Sequence, residues 1–352
     1  MDSADENGNM TAALIVGLSG TALTADERRF LKDVQPAGLI LFSRNCETRE
    51  QITALVRDAR AAIGSGNLLV LIDQEGGRVQ RLRPPLGRLL PPGQSYADLY
   101  ANDPEAAKSA AFQIARLVAA ELTELGIDTN CAPVLDVPVT GAHGIIGDRA
   151  YGNAPEGIAV LAREVARGYM SGGVLPVIKH IPGHGRATKD SHLDLPVVTE
   201  TRDVLSSSDF APFRVLNTMP AAMTAHVVFT AVDPDKPAST SEAVTRDIIR
   251  GEIGFDGLLM SDDLSMKALS GTIRSRAESV IRAGSDLALH CNGDFAEMVA
   301  AAEGVPQLAG KALSRFKRAQ EVTTRSEEFD ESEALWLLGE MLRPQARPPE
   351  SV

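Results

Sequence analysis

Cysteine is scarce in this sequence. The chain has only three cysteines, Cys46, Cys131 and Cys291, and none of them belongs to a C-x-x-C pair. An odd number of widely spaced cysteines argues against both a disulfide framework and a zinc knuckle. We therefore expect the three thiols to be reduced.

Positive charge and aromatic residues are also in short supply. Lys and Arg number 35 against 47 Asp and Glu, which gives a net charge of −12, and aromatic residues make up 4% of the chain. Such a charge argues against nucleic acid or any other polyanionic partner. With 44% hydrophobic and 23% charged residues, the composition is that of an ordinary globular protein with a largely aliphatic core.

Long hydrophobic runs are missing as well. No segment approaches the roughly 18 continuous apolar residues of a membrane span. The stretch TAALIVGLSGTAL has the length of a signal-peptide core, but Asp2, Asp5 and Glu6 precede it and no Lys or Arg does. Export signals carry positive charge at that place. We therefore expect a cytoplasmic protein with no membrane partner.

Short apolar runs alternate with helical patterns along most of the chain. Helical periodicity appears in segments such as 48–63, 103–125, 154–170 and 273–285, several of which open on Thr, Asp or Asn caps. The apolar runs lack polar alternation, which suits strands of a parallel sheet that are buried on both faces. These predicted strands are 12–16, 38–43, 68–73, 131–136, 176–180, 221–229, 257–262 and 286–291.

Eight strand and helix units predict the α/β class and a (β/α)8 TIM barrel. An open doubly wound sheet is disfavoured because no G-x-G-x-x-G fingerprint follows the first run. We expect the barrel to span 11–305 and helices within 306–342, around Trp336, to pack on it. The terminal segments 1–10 and 343–352 are polar or Pro-rich enough to be disordered.

Polar residues recur at the ends of the predicted strands, where the active sites of such barrels gather. Any one of them could simply begin a loop, but their recurrence at seven of the eight runs indicates one site. The residues are Ser43 with Arg44, Asp73, Asp136, Lys179 with His180, His226, Asp262 and His290.

The motif MSDDLSM places Asp262 directly after an apolar run. A carboxylate there can be a general base, a metal ligand or a nucleophile. Either Asp262 or Asp263 could instead cap a following helix, and Asp263 is the better placed for that role. The motif by itself does not decide between these roles.

The segment KHIPGHGRATKDSHLDLP is richer in chemistry. Asp190 and His192 stand two residues apart, so in an extended backbone the carboxylate can accept the imidazole N–H and fix its tautomer. That is the logic of a catalytic dyad. Gly and Pro around His184 permit tight turns around a ligand, although a loop histidine can also be merely solvated.

Metal binding is the competing interpretation of this segment. His180, His184 and His192 could act as ligands beside Asp262. The Pro-Gly pair between the first two histidines removes the helical H-x-x-x-H geometry, and the adjacent lysine would repel a cation. We therefore expect neither a metal nor another cofactor.

Two further motifs favour a polar ligand. LIDQEGGRVQRL offers Asp73 at a strand end, followed by paired glycines, Arg78 and Arg81. Aspartate can accept two sugar hydroxyls and arginine can donate a planar fork, although QEGG could also be no more than a turn. IIGDRAYG presents Arg149 between two glycines after the fourth run.

In their order along the chain, these motifs closely resemble the single-domain bacterial β-N-acetylglucosaminidases of glycoside hydrolase family 3, the NagZ type. The resemblance runs from about residue 12 to about residue 295. Its most specific part is KH-x-PGHG followed by DSH. The departures are small: Ile181 stands where an aromatic residue is common, and RAYG replaces the frequent R-S/A-F-G, so that Tyr151 stands in place of Phe. Neither change removes a functional group.

The resemblance implies an exo-acting retaining hydrolase. The aspartate after Ser in the SDD motif is then the nucleophile, Asp262, and the histidine of DSH, His192, is the general acid/base paired with Asp190. The substrate contacts that match by position are Asp73, Arg81, Arg149, Lys179 and His180.

The resemblance also implies a substrate, namely GlcNAc-anhydroMurNAc peptides of peptidoglycan recycling. We expect a monomer. A β-glucosidase of the same family is the nearest competing function, although that branch generally carries a second domain. A metal-dependent amidohydrolase or a catalytically inactive sugar-binding protein could also be built on the same barrel.

Overall fold

The computed structural model describes residues 11–64, 68–187 and 194–343. The predicted disordered segments 1–10 and, from residue 344, the C-terminal tail lie outside these ranges. Eight parallel strands close into a barrel in which each strand pairs with its neighbours in sequence and the last pairs with the first. The barrel strands are β1 Ala12–Gly17, β2 Pro36–Leu41, β3 Leu69–Ile72, β4 Thr129–Asn130, β5 Leu175–Ile181, β6 Ala221–Thr224, β7 Leu258–Asp263 and β8 Leu287–His290.

Helices surround this barrel, and the predicted (β/α)8 fold is confirmed. The four helices predicted from periodicity begin and end within a few residues of their expected bounds. Thr48 and Asp103, for example, cap the helices 49–63 and 104–124 through their side chains. The helices are α1 Ala25–Val34, α2 Arg49–Ile63, α3 Gly93–Asn102, α4 Pro104–Glu124, α5 Pro155–Ser171, α6 Arg202–Ser207, α7 Ala211–Val215, a π-helix Val244–Glu252, α8 Ile273–Arg282, α9 Phe295–Glu303, α10 Gly310–Thr323 and α11 Glu331–Leu342.

The strands are buried on both faces, as their unbroken apolar runs predicted. In β1, Ala13 and Ile15 belong to the cluster that fills the barrel interior, whereas Leu14 and Val16 pack in the cluster between the strands and the helices. Alternate residues of a strand point to opposite faces of the sheet. The same sequence run therefore supplies two layers of core.

The fourth strand is shorter and earlier than predicted. Only Thr129 and Asn130 pair with both neighbouring strands, and the predicted run 131–136 follows them as irregular backbone. Pro133 has no N–H to donate to a strand ladder, which ends regular pairing here. The chain still runs parallel to β5, where Val134 forms an isolated bridge with Lys179 and Leu135 N donates to the Lys179 carbonyl at 2.7 Å.

The sixth strand also ends sooner than predicted. Its regular part is Ala221–Thr224, and a separate two-residue strand, Val228–Phe229, pairs with Val197–Val198 outside the barrel. Between them the carbonyls of 225 and 227 accept hydrogen bonds from the later loop at 238–239. Pairing with this loop takes the chain out of the barrel ladder.

The two C-terminal helices pack in different places. Phe316 and Ala319 of α10 belong to the same apolar cluster as the barrel interior. In α11, Leu337 and Leu338 are buried, and Glu333 accepts from Gln113 on α4. No helix among the described residues is long and apolar enough to cross a membrane.

Candidate active site

A cavity of about 410 Å³, lined by both charged and apolar side chains, opens at the carboxyl ends of the barrel strands. Six of the eight predicted site residues line it, together with arginines and apolar side chains of neighbouring loops. The six are Asp73, Arg81, Arg149, Lys179, His180 and Asp262. The other two, Asp190 and His192, lie outside the described residues, so their predicted roles rest on the sequence.

One wall of the cavity is a chain of alternating charges. Arg81 Nη2 donates to Asp73 Oδ2 and Lys179 Nζ donates to Asp73 Oδ1, both at 2.8 Å. Lys179 Nζ also lies 2.6 Å from Glu75 Oε1. Arg149 donates to both oxygens of Glu75, from Nε to Oε2 and from Nη2 to Oε1, each at 2.8 Å. The predicted sugar-binding residues are therefore held as one network.

This network keeps its members charged. Burial alone would raise the pKa of Asp73, but Lys179 and Arg81 outweigh it and hold that pKa well below its usual range. Burial likewise favours a neutral Glu75, yet Arg149 and Lys179 lower its pKa. In the opposite sense, burial would lower the pKa of Lys179, but Asp73 and Glu75 raise it. The cavity wall thus presents fixed charges near neutral pH.

Asp262 reaches the cavity at the end of β7. Its Oδ1 accepts the backbone N–H of Asp263 at 2.8 Å. The alternative role of Asp263 as a helix cap is contradicted, because the next helix, α8, begins after Thr272, whose side chain caps it. Asp263 Oδ1 instead accepts the backbone N–H groups of Ser265 and Cys291, each at 3.0 Å, and so ties the end of β7 to the end of β8.

A buried histidine supports the backbone beside Asp262. His226 Nε2 lies 3.0 Å from the Asp263 carbonyl oxygen, and Nδ1 lies 2.7 Å from Ser239 Oγ. A carbonyl can only accept, so Nε2 carries the hydrogen, and in the neutral ring Nδ1 accepts the serine hydroxyl. Asp263 is therefore fixed at both its N–H, by Asp262, and its carbonyl, by His226.

A second buried carboxylate organises the histidines of the KHIPGHG segment. Asp136 Oδ1 accepts the backbone N–H groups of His180 at 3.2 Å and His184 at 2.7 Å, and Oδ2 lies 2.6 Å from His180 Nδ1. Burial would raise the pKa of Asp136, but His180 lowers it below its usual value. The ionised carboxylate therefore holds His180 Nδ1 as a donor, which leaves Nε2 to meet a ligand.

His184 reaches the same cavity from this turn. Burial, followed by the neighbouring His180, lowers its pKa to about 4, despite the opposing effect of Asp136 and Asp262. The ring is therefore neutral near neutral pH. Within the described ranges, no three His, Cys, Asp or Glu side chains come together as a metal site.

The strand-end hypothesis was only partly correct. Arg44, like the six site residues, lines the cavity, but Asp136 and His226 stand behind it as supports. His290 is fully buried, and its Nε2 lies 3.2 Å from Glu297 on α9. It is therefore not a cavity residue, because its side chain leaves the barrel on the helix side.

Sequence reasoning missed two carboxylates. No motif predicts a role for Glu75, although it stands two residues after Asp73, a spacing that puts both side chains on one side of an extended chain. That spacing was the available signal. Asp136 was noted as a strand-end residue, but its partnership with His180 across 44 positions had no signal in the sequence.

A barrel whose carboxylates, cations and histidines converge on one cavity at the strand ends is the architecture of an enzyme that acts on a polar ligand. Comparison with known proteins narrows this class. Residues 8–323 match the model of the family described as "Glycosyl hydrolase family 3 N terminal domain". The chain belongs to glycoside hydrolase family 3.

Individual relatives agree with this assignment. The chain is 42% identical over 283 residues to a protein of Alkalilimnicola ehrlichii named "Beta-hexosaminidase", which covers 79% of this chain and 80% of that protein. A protein of the same name from Stenotrophomonas maltophilia strain R551-3 is 38% identical over 305 residues, or 86% of this chain and 88% of that protein.

Solved structures show the same architecture. The crystal structure of NagZ from Neisseria gonorrhoeae in complex with N-trifluoroacetyl-D-glucosamine superimposes with a TM-score of 0.85 at 33% identity, covering 95% of this chain and 99% of that chain. A glycoside hydrolase family 3 beta-N-acetylglucosaminidase from Paenibacillus sp. gives a TM-score of 0.82 at 30% identity, covering 94% of this chain and 66% of that chain.

Proposed function

We propose that this protein is an exo-acting retaining β-N-acetylglucosaminidase that removes terminal N-acetylglucosamine from a glycoside. The observation that carries the proposal is the cavity, in which Asp262 faces the charge network that includes Asp73, Lys179 and Arg149. The relatives named Beta-hexosaminidase and the neighbour solved with N-trifluoroacetyl-D-glucosamine support it.

The charge network suits the hydroxyl groups of one sugar ring. Lys179 donates one ammonium hydrogen to Asp73 and forms an ion pair with Glu75, and its ammonium group can also donate to a hydroxyl oxygen of the sugar. Asp73 can accept from hydroxyls, while Arg81 and Arg149 supply further N–H donors. His180 would add its Nε2. We assign these groups, Glu75 apart, to substrate binding.

In the proposed reaction Asp262 is the nucleophile. Its carboxylate oxygen forms a bond to the anomeric carbon while the glycosidic C–O bond breaks, and the departing oxygen takes a proton from His192. Water then gives a proton to His192 as its oxygen attacks the same carbon and releases the Asp262 carboxylate. Two inversions retain the configuration.

The assignment of His192 as acid/base and Asp190 as its partner comes from the DSH motif. Most retaining glycosidases use a second carboxylate for this proton transfer, at roughly 5 Å from the nucleophile. An imidazole serves the same purpose because its ordinary pKa of about 6.5 allows it to donate and accept near neutral pH.

The test is a trapped intermediate. The wild-type protein should hydrolyse 4-nitrophenyl N-acetyl-β-glucosaminide in preference to the corresponding β-glucoside, and chelator should not change the rate. With a slow or 2-deoxy-2-fluoro substrate, peptide mass spectrometry should find the glycosyl adduct on Asp262. An adduct on another residue, a product that first appears as the α-anomer, or loss of activity with chelator would each contradict the mechanism.

We further propose that the natural substrate is a GlcNAc-anhydroMurNAc peptide, which the protein hydrolyses in the cytoplasm during peptidoglycan recycling. We also propose that the active form is a monomer. The apolar stretch that most resembles an export core contains β1, a buried barrel strand, which supports its role in the fold. Arg44 and Arg78 at the cavity offer local positive charge to an anionic aglycone, despite the net charge of −12. Hydrolysis of that disaccharide peptide no faster than of the plain 4-nitrophenyl glycoside would contradict the substrate assignment.

A further inference from the structure

Glu75 stands at the centre of the charge network although no sequence motif assigned it a role. Its side chain is only 6% exposed. Arg149 Nε binds Oε2, whereas Oε1 meets both Arg149 Nη2 and Lys179 Nζ, at 2.8 and 2.6 Å. Both oxygens thus contact protein cations, so Glu75 can influence a bound sugar through these two partners.

The backbone around Glu75 is rigidly held. Gln74 exchanges two hydrogen bonds with Asn130, from its N–H at 2.9 Å and to its carbonyl at 3.0 Å. The Gln74 side chain also binds the backbone of Arg81 and Leu82 across the short antiparallel pair Gln74–Gly76 and Val79–Gln80. These contacts hold the backbone segment that carries the Glu75 side chain.

The Glu75 carboxylate reduces the electrostatic repulsion between Arg149 and Lys179. Arg149 and Lys179 come from different loops and strands, and both lose water at the cavity wall, where like charges repel strongly. One carboxylate between them offsets this repulsion. Because the Arg149 contact is bidentate, it also sets the plane of the guanidinium.

We propose, on the basis of the proposed function, that Glu75 is a positioning residue for sugar binding: it holds Arg149 and Lys179 at the spacing and orientation in which their remaining N–H groups meet the hydroxyls of N-acetylglucosamine. It takes no proton and makes no bond to the substrate.

The test compares Glu75→Gln and Glu75→Asp with a matched control, Asp286→Asn. Asp286 is also a buried carboxylate between two arginines, Arg250 and Arg315, at 2.9 and 3.1 Å, but it precedes β8 at the opposite end of the barrel from the cavity. The control therefore loses the same kind of interaction without touching the site.

The measurements are kcat and KM on 4-nitrophenyl N-acetyl-β-glucosaminide, N-acetylglucosamine binding by calorimetry, and Tm. Glu75→Gln should lower kcat/KM about 10- to 100-fold, mainly through KM, and weaken N-acetylglucosamine binding by a similar factor. Glu75→Asp, which keeps the charge but loses the bidentate reach, should fall between this variant and the wild type. Asp286→Asn should lower Tm at least as much and leave both kinetic constants within about twofold of the wild type.

Several results would overturn the proposal. The proposal fails if Glu75→Gln binds N-acetylglucosamine as tightly as the wild type. It also fails if Asp286→Asn loses as much affinity as Glu75→Gln, because the loss would then be a general consequence of lower stability. If the wild type binds N-acetylglucosamine but hydrolyses nothing, the proposed function fails, yet reduced binding in Glu75→Gln still supports the role of Glu75. A wild type that binds no N-acetylglucosamine contradicts both.

Discussion

Asp136→Asn tests whether a buried carboxylate behind the site controls the histidines in front of it. The substitution keeps the size of the side chain and the acceptor oxygen for the backbone N–H groups of His180 and His184. It replaces Oδ2, which now lies 2.6 Å from His180 Nδ1, with an amide NH2. That NH2 is a donor and would face the N–H of the ring. The ring must then turn or change its tautomer.

The cost follows from these contacts. Hydrogen bonds to a charged group contribute about 1.5–3 kcal/mol each, so losing one and weakening two should destabilise the fold by about 2–4 kcal/mol. For a chain of 352 residues that is a Tm reduction of about 3–5 °C. With Nε2 of His180 no longer presented as before, kcat/KM should fall about tenfold.

The pH dependence gives a second readout. Because the folded pKa of Asp136 is lowered, its stabilisation is complete above the unfolded carboxyl pKa of about 4 and is lost as the pH falls through the lower folded value. The Tm difference between wild type and Asp136→Asn should therefore narrow below about pH 4.

Asp128→Asn is the matched control. Asp128 likewise accepts three hydrogen bonds, from Arg60, Val70 N and Thr129, but it precedes β4 at the far end of the barrel. Differential scanning calorimetry and steady-state kinetics on both variants separate stability from site geometry. The reasoning is refuted if Asp136→Asn retains wild-type kcat/KM, or if Asp128→Asn loses as much activity as Asp136→Asn.

Three further predictions concern other parts of the cavity wall and its surroundings. His226→Asn should lower kcat about tenfold with little change in KM, because it releases the carbonyl next to Asp262; an unchanged kcat in steady-state assays would count against this support. Gly185→Ala should lower Tm, measured calorimetrically, because its Cβ would lie 2.0 Å from the Val137 carbonyl oxygen, and a wild-type Tm would show that the turn can yield. Iodoacetamide should label native Cys46 slowly near neutral pH, since burial raises its pKa to about 11, and rapid labelling seen by mass spectrometry would disprove this.

Much of the site could be predicted because barrels gather strand ends at one rim. Asp73, Lys179 and Asp262 each end an apolar run, and the closed barrel brings all three to one cavity. The strand-end predictions failed where the side chain points to the helix side of the barrel and not to the cavity. His290 also ends a run, yet its ring lies against α9, because residues alternate between the interior and the helix side.

The sequence by itself determined the alternation of strands and helices, and with it the eightfold barrel, because apolar periodicity is a local property of the chain. It also marked the charged residues that barrel closure collects. Only the tertiary structure decided which of these charges meet. Glu75 contacts Arg149, which lies 74 residues away in the sequence, and Asp136 contacts His180, which lies 44 residues away. Contacts over such separations depend on strand register and loop packing. No local sequence pattern indicates which charged residues will form these pairs.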